Sequence, residues 1–187
     1  MLLSLTKTNK KQEKHENIMK YELDALIRYI LCFIPISLFT LILTPITVYG
    51  SSLLLFFYNP ETSGIVMTIK DIAFVFIEAC IASYAYWLIM ALTLTTKNII
   101  WKTRIKMIFT GFILILIMNY LRIIVLVIAR INATIQTYDI IHTFFWKFLS
   151  GVYVAIVWII LIKIYKIEKI PVYDDLKYLY KKSFLKK

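Results

Sequence analysis

Long apolar runs alternate with short polar connections along this chain. Four of the runs reach roughly 20 residues, the length that an α-helix needs to cross a hydrocarbon core about 30 Å thick. They are Ala25–Val48, Ile72–Leu94, Lys106–Ala129 and Thr143–Ile162. The pattern predicts an all-α polytopic membrane protein with about four transmembrane helices.

The stretch between the first two runs has a different pattern. Two short apolar segments, Leu53–Tyr58 and Ile65–Lys70, flank the turn-forming residues Asn59–Gly64. This arrangement predicts a hairpin or a re-entrant segment at the outer membrane interface, with a partly buried loop as the alternative. Pro35 and Pro45 lie inside the first run, and each removes a backbone donor, so we expect that helix to bend or to end early.

Composition agrees with a membrane protein. The chain has 187 residues, is 60% hydrophobic and carries a formal net charge of +11, with a mean hydropathy of +0.76. The basic residues collect in the N-terminal arm, in the Lys97–Lys106 connection and in the tail. This distribution predicts membrane topology rather than nucleic-acid binding, and it places both termini in the cytoplasm and two loops outside.

The same reasoning divides the chain into three parts. Residues 1–24 form a polar cytoplasmic arm, and residues 25–164 form the transmembrane bundle. Residues 165–187 form a basic cytoplasmic tail, in which apolar and lysine residues interleave as in an amphipathic helix that rests on anionic lipid. We expect contact with membrane lipids and none with nucleic acid.

Three polar side chains occur where an apolar chain tolerates them least: Cys80, Arg122 and His142. Alternating topology brings all three toward the outer membrane face. A thiol, a guanidinium and an imidazole can serve as nucleophile, oxyanion partner and base. Asn119, one helical turn before Arg122, is expected to hold the guanidinium. Glu78 is a supporting residue that is expected to pair with Arg130 or Lys147.

Each of these residues also has a structural interpretation. Cys80 could belong to a packed stripe with Ser83, Tyr84 and Trp87, and His142 could anchor a helix end. The structural interpretation of Arg122 is an arginine that snorkels to the membrane surface, but intramembrane arginines usually face the interior of a bundle.

The two cysteines are too few and too far apart in the predicted topology for a disulfide framework, and Cys32 is expected to pack as a small apolar residue. With two histidines far apart, the sequence predicts neither a metal site nor another cofactor.

At these positions the chain resembles the exosortase/archaeosortase family of membrane cysteine transpeptidases, and in particular its minimal archaeal-type members. The resemblance rests on Glu78-Ala79-Cys80, on the Asn-x-x-Arg-Ile pattern of Asn119–Ile123, and on the later His142. It covers about Ile69–Gly151. The chain departs from the family where many members have Ser-Gly or Thr-Gly after the cysteine, because it has Ile81-Ala82-Ser83.

The resemblance implies an enzyme of the cell membrane with an active site toward the outer face. Its substrates would be secreted proteins with a C-terminal sorting signal, which consists of a short motif, one transmembrane helix and a basic tail. The enzyme would cleave near the motif and transfer the new C-terminus to an acceptor, for which a lipid is the candidate. The outer hairpin could align the peptide by strand addition. Two alternatives stay open: a protease that releases its product to water, and a non-catalytic scaffold or small transporter subunit.

Overall fold

The computed structural model describes residues 22–97, 99–146 and 150–167. Both the polar arm before residue 22 and the amphipathic tail after residue 167 lie outside this part of the chain. The chain divides into two compact units, Met1–Ile34 and Pro35–Lys187. The described part of the first unit is a helix at residues 22–32, α1, which contains an ion pair between Arg28 and Asp24 with an N–O distance of 3.0 Å.

The second unit is mostly helical and includes a small sheet. Its elements, in chain order, are α2 (Ile36–Leu54), a short 3-10 helix (Phe56–Tyr58), β1 (Glu61–Ser63), β2 (Val66–Ile69), β3 (Ile72–Val75), α3 (Glu78–Ile81), α4 (Ser83–Thr95), α5 (Trp101–Asn132), α6 (Ile135–Phe144) and α7 (Ser150–Ile164). The prediction of an all-α protein was therefore incomplete, since a three-stranded antiparallel sheet lies between α2 and α3.

Two of the described helices, α2 and α5, are long and apolar enough to cross a membrane. Two shorter apolar helices, α4 and α7, have 13 and 15 residues. The first predicted helix, Ala25–Val48, is interrupted before α2. Pro35 is the N-cap residue of α2, and it restricts the conformation of the residue before it. Pro45 does not end α2, which continues past it to Leu54.

The second and fourth predicted helices are also divided. The sequence placed one helix over Ile72–Leu94, but its first residues form β3 because they pair with β2 across a two-residue turn at Lys70 and Asp71. Both turn residues have positive φ, as a tight hairpin turn requires. Within Thr143–Ile162, the first two residues end α6 and α7 begins at Ser150.

A hairpin is present in the predicted region, but in a different register. Leu53–Tyr58 is helical rather than extended, and the turn between β1 and β2 lies at Gly64 and Ile65 rather than across Asn59–Gly64. Gly64 has φ of +60°, so a residue without a Cβ suits this turn.

The sheet is fixed to the helices by one apolar cluster. Met67 and Ile69 of β2 point to the same side and are almost completely buried. They pack with residues from α2, α5 and the segment after β3: Val48, Leu55, Phe76, Ile123 and Val127. The partly buried Cys80 also packs against this cluster, so the position of the sheet and that of the cysteine are linked.

Gly111 marks the point where three helices approach closely. A Cβ at this position would lie 2.6 Å from Cγ2 of Ile89 on α4 and 3.1 Å from Cδ1 of Leu161 on α7. Small residues allow such close approach between apolar helices. α4, α5 and α7 therefore pack directly against one another.

The turn between α4 and α5 is stabilised by Arg104, which is 1% exposed. Its Nη1 donates to the carbonyls of Thr93 and Leu94 at 2.6 and 2.7 Å, and its Nη2 donates to the carbonyl of Ile99 at 3.1 Å. The guanidinium thus satisfies carbonyls at the C-terminal end of α4, where a cation is also favoured by the helix dipole.

Replacing Arg104 tests this role. We expect Arg104→Ala to lower the free energy of unfolding by about 3 kcal/mol, because it leaves buried carbonyls without donors. The matched control is Lys102→Ala, at an exposed position on the same helix, for which we expect a change below about 0.5 kcal/mol. Denaturant unfolding in detergent measures both, and equal losses in the two variants would contradict the assignment.

Candidate active site

The cysteine lies on a single helical turn that is separated from the next helix. α3 has only four residues, and it ends at Ala82, whose φ of 60° and ψ of 30° are left-handed. α4 begins at the next residue and changes direction. Because the helix does not continue, the carbonyls of Ala79 and Cys80 are not taken up by a following turn of the same helix.

Two side chains of α5 bind these carbonyls. Nη2 of Arg122 donates to the carbonyl of Ala79 at 2.7 Å, and Nδ2 of Asn119 donates to the carbonyl of Cys80 at 2.9 Å. Both side chains thus hold the backbone of the cysteine turn. The prediction that Asn119 holds Arg122 by a hydrogen bond was wrong, because Oδ1 of Asn119, the side-chain atom that could accept from the guanidinium, has no hydrogen-bond partner among the described residues.

Each of these two side chains also has a buried polar atom that makes no hydrogen bond in the described structure. Nε of Arg122 and Oδ1 of Asn119 are buried, and within the described residues neither has a hydrogen-bond partner. Both residues line a cavity of about 360 Å³ between α4, α5 and α7, with Ala85, Ile115 and Tyr153 among its walls.

Cys80 and His142 line a second, open cleft of about 630 Å³. Its other walls come from β3, α5 and α6, and they include Phe74, Val75, Ile123, Val127, Arg130 and Tyr138. The cleft therefore brings a thiol and an imidazole from separate elements to one space. Arg122 does not line this cleft but the neighbouring cavity.

His142 is oriented by its own helix. Its ring stacks on that of Tyr138, four residues earlier on α6, with a centroid distance of 5.7 Å and an interplanar angle of 7°. The guanidinium of Arg130 lies over the ring of Tyr138, 5.9 Å from its centroid. Burial raises the pKa of Tyr138, and the nearby Cys80 and Asp139 raise it further, while Arg130 lowers it. Tyr138 is therefore a neutral hydrogen-bond donor at physiological pH.

Sequence reasoning missed Arg130 and Tyr138 as residues of this cleft. The sequence did contain a signal for each. Ile123, Leu126, Val127 and Arg130 follow the three- and four-residue spacing of one helix face, and all four line the cleft. Tyr138 precedes His142 by four residues, the spacing at which helical side chains meet.

Glu78 has no ion-pair partner among the described residues, and its side chain is exposed. Of its two expected partners, Arg130 lies over Tyr138 and Lys147 is outside the described residues. The stripe of Cys80 with Ser83, Tyr84 and Trp87 is also interrupted, because Ala82 turns the chain between them. Ser83 instead bonds across to Thr40 of α2, with an Oγ–Oγ1 distance of 2.8 Å.

Neither cysteine is in a disulfide. Cys32 donates within its own helix to the carbonyl of Arg28 at 3.3 Å. In the described part of the chain, no group of three or more His, Cys, Asp or Glu side chains could hold a metal ion. No family model matches the chain, and no match was found among curated proteins or solved structures.

The left-handed conformation of Ala82 carries an energetic cost that a glycine at this position would avoid. A left-handed conformation costs an L-residue with a Cβ roughly 1–2 kcal/mol, whereas glycine adopts it without that cost. We therefore expect Ala82→Gly to raise the free energy of unfolding by about 1 kcal/mol. Denaturant unfolding followed by circular dichroism measures the change.

The control is Ala91→Gly, in the interior of α4. There the same chemical change should lower stability by about 1 kcal/mol, because glycine is unfavourable in a helix interior. Two changes of the same sign would contradict the left-handed assignment at Ala82.

Proposed function

We propose that the chain is a membrane-embedded cysteine transpeptidase that cleaves C-terminal sorting signals of secreted proteins at the outer membrane face. It transfers the new C-terminus to an acceptor, for which a lipid is the candidate. The observation that carries the proposal is the placement of Cys80. Its turn is held by Arg122 and Asn119, and its side chain borders an open cleft that also contains His142.

The surface of α5 supports the membrane location. Seven large apolar residues, each at least 40% exposed, follow one face of this helix: Ile105, Phe109, Ile113, Ile117, Leu121, Val125 and Ile128. A helix that faced water would carry polar residues along such a stripe. Between Lys106 and Arg130 the only charged residue is Arg122. Lipid is the environment that fits this face.

The proposal keeps four membrane crossings, by α2, by α3 with α4, by α5 and by α7. α4 alone is about 20 Å long at 1.5 Å per residue, which is shorter than a hydrocarbon core of about 30 Å. The preceding turn and the linking residues would contribute the rest. In this topology the sheet and α6 lie on the outer side, and the α4–α5 connection with its basic residues lies in the cytoplasm.

The reaction would start with transfer of the Cys80 proton to the imidazole of His142. The thiolate then attacks the scissile carbonyl and forms a tetrahedral oxyanion. Arg122 would stabilise this oxyanion if the substrate carbonyl reached from the cleft toward the neighbouring cavity, because the Nε–H of Arg122 has no acceptor among the described residues. Collapse of this intermediate breaks the peptide bond, and the imidazolium returns the proton to the leaving amine. A thioester remains on Cys80, and the acceptor nucleophile attacks it and restores the thiol.

Two other functions would use the same residues differently. A protease would let water attack the thioester and release a free carboxylate, so the mass of the new C-terminus in a processed substrate distinguishes it from transfer. A scaffold or small transporter subunit would use Arg122 to bind a partner's acid or an anionic ligand, and Cys80 would only pack.

Thiol reactivity separates the enzyme from the scaffold. We expect a membrane-impermeant maleimide to label Cys80 well before Cys32, because Cys80 lines an open cleft on the proposed outer side whereas Cys32 lies in α1. Mass spectrometry after partial labelling of intact cells measures the two extents. Equal, negligible labelling of both cysteines would favour the scaffold.

Processing assays test the residues. In cells that produce a substrate with a sorting signal, Cys80→Ala and Arg122→Ala should abolish cleavage while the protein stays in the membrane. Cys32→Ala is the matched control and should cleave at the normal rate. Normal cleavage by Cys80→Ala would end the proposed mechanism.

Membrane topology can be tested independently of catalysis. In a variant without native cysteines, we expect Glu61→Cys in β1 to be labelled by an impermeant maleimide from outside. Lys102→Cys at the start of α5 should be labelled only after the cells are opened. Labelling of both positions from the same side would contradict the proposed crossings.

A further inference from the structure

One edge of the sheet is open beside the cysteine. The strand order is β1-β2-β3, so β3 pairs with β2 on one side, and within the described residues no strand pairs with its other side. Ile72–Phe76, which comprises β3 and the residue after it, forms one wall of the cleft that contains Cys80. The chain passes from this wall to the cysteine in four residues.

The register of the hairpin determines which backbone groups face the open edge. Ile72 pairs with Ile69 across the two-residue turn, so these residues exchange hydrogen bonds with each other. The N–H of Phe76 donates to the carbonyl of Ile65 at 2.9 Å, in the same alternation. By the same alternation Phe74 faces β2, whereas Ala73 and Val75 direct their N–H and C=O groups away from β2 and into the cleft.

These four groups define the ligand chemistry of the wall. Donor and acceptor repeat every second residue along a strand, at a spacing of about 6.6 Å. An extended peptide presents matching groups at the same spacing, whereas a lipid chain or a small anion does not.

We propose that the substrate binds as a fourth strand on β3, with its backbone paired to Ala73 and Val75 and its scissile bond delivered to Cys80. This inference rests on the proposed function and adds the binding mode. Recognition of the main chain is provided by the strand edge, so side-chain selectivity is provided by the remaining walls, which include Arg130 and His142.

The test compares a peptide reagent with a small one on the full-length protein in membranes. The peptide is acetyl-Val-Thr-Val-Ala-chloromethyl ketone, and the small reagent is iodoacetamide, which needs no strand pairing. In both reactions the thiolate displaces a halide and forms a thioether, so mass spectrometry of the Cys80 peptide gives both rates. Cys32→Ala serves as the background.

Val75→Pro removes one outward N–H without removing a bond to β2, and proline is tolerated at such edge positions. We expect it to lower the rate with the peptide about tenfold, as loss of one hydrogen bond predicts, and to leave the rate with iodoacetamide unchanged. Val75→Ala keeps the N–H and shortens the side chain, so it measures the part of the effect that is due to the side chain. The loss of rate specific to the N–H is the difference between Val75→Pro and Val75→Ala.

A second measurement uses the unaltered protein, in case Val75→Pro does not fold. Methylating the peptide's amide nitrogens one at a time should lower the rate at alternate positions only. Two results together would overturn strand addition. Val75→Pro would leave the ratio of the peptide rate to the iodoacetamide rate unchanged, and the methylated peptides would show no alternation. That result with a reactive Cys80 leaves the proposed function intact, whereas normal processing by Cys80→Ala rejects the function itself.

Discussion

The structure depends on the two hydrogen bonds by which α5 holds the turn that carries Cys80. Arg122 binds the carbonyl of Ala79 and Asn119 binds that of Cys80, and both acceptors are free because the helix ends at the left-handed Ala82. An apolar environment offers no water for these groups, so an unmade bond would cost more here than at a water-exposed surface. The charge of Arg122 in an apolar bundle therefore has a structural explanation that a lone intramembrane arginine would lack, and the same bonds set the place of the thiol.

The other elements are arranged around this turn. β3 precedes this turn in the chain and forms one wall of the cleft. The buried side of β2 anchors the sheet to α2 and α5. α6 contributes the imidazole to the same cleft, with Tyr138 stacked on it. On the opposite side of α5, large apolar side chains are exposed along the helix in the part of the chain that the structure describes. α5 thus presents Asn119 and Arg122 to the cysteine turn on one side and a surface suited to lipid on the other, and this contrast underlies the proposal of an intramembrane enzyme.

The sequence predicted the parts of this arrangement that follow from helical spacing and hydropathy. Asn119 and Arg122 do share a face of a long apolar helix, and Cys80 and His142 do line one cleft. Hydropathy could not show that Ile72–Val75 is a strand, because short apolar runs fit a buried helix and a strand equally well. Nor could it show the break at Ala82, since alanine is a strong helix former and only tertiary hydrogen bonds compensate for its left-handed conformation. Arg130 was expected only as a partner of Glu78, because a position at the helix end does not reveal that Tyr138 of α6 lies under its guanidinium.

The coupling between Asn119 and Arg122 tests the central claim most directly. Asn119 touches the backbone of Cys80, so any effect it has on the sulfur must pass through the position of the turn. A double-mutant cycle of Asn119→Ala and Arg122→Gln, read out as the rate of Cys80 alkylation by iodoacetamide, measures this. The account predicts that each variant slows alkylation and that the two effects are not additive, with a coupling energy of about 0.5–3 kcal/mol. Additive effects, or an unchanged rate in Asn119→Ala, would contradict it.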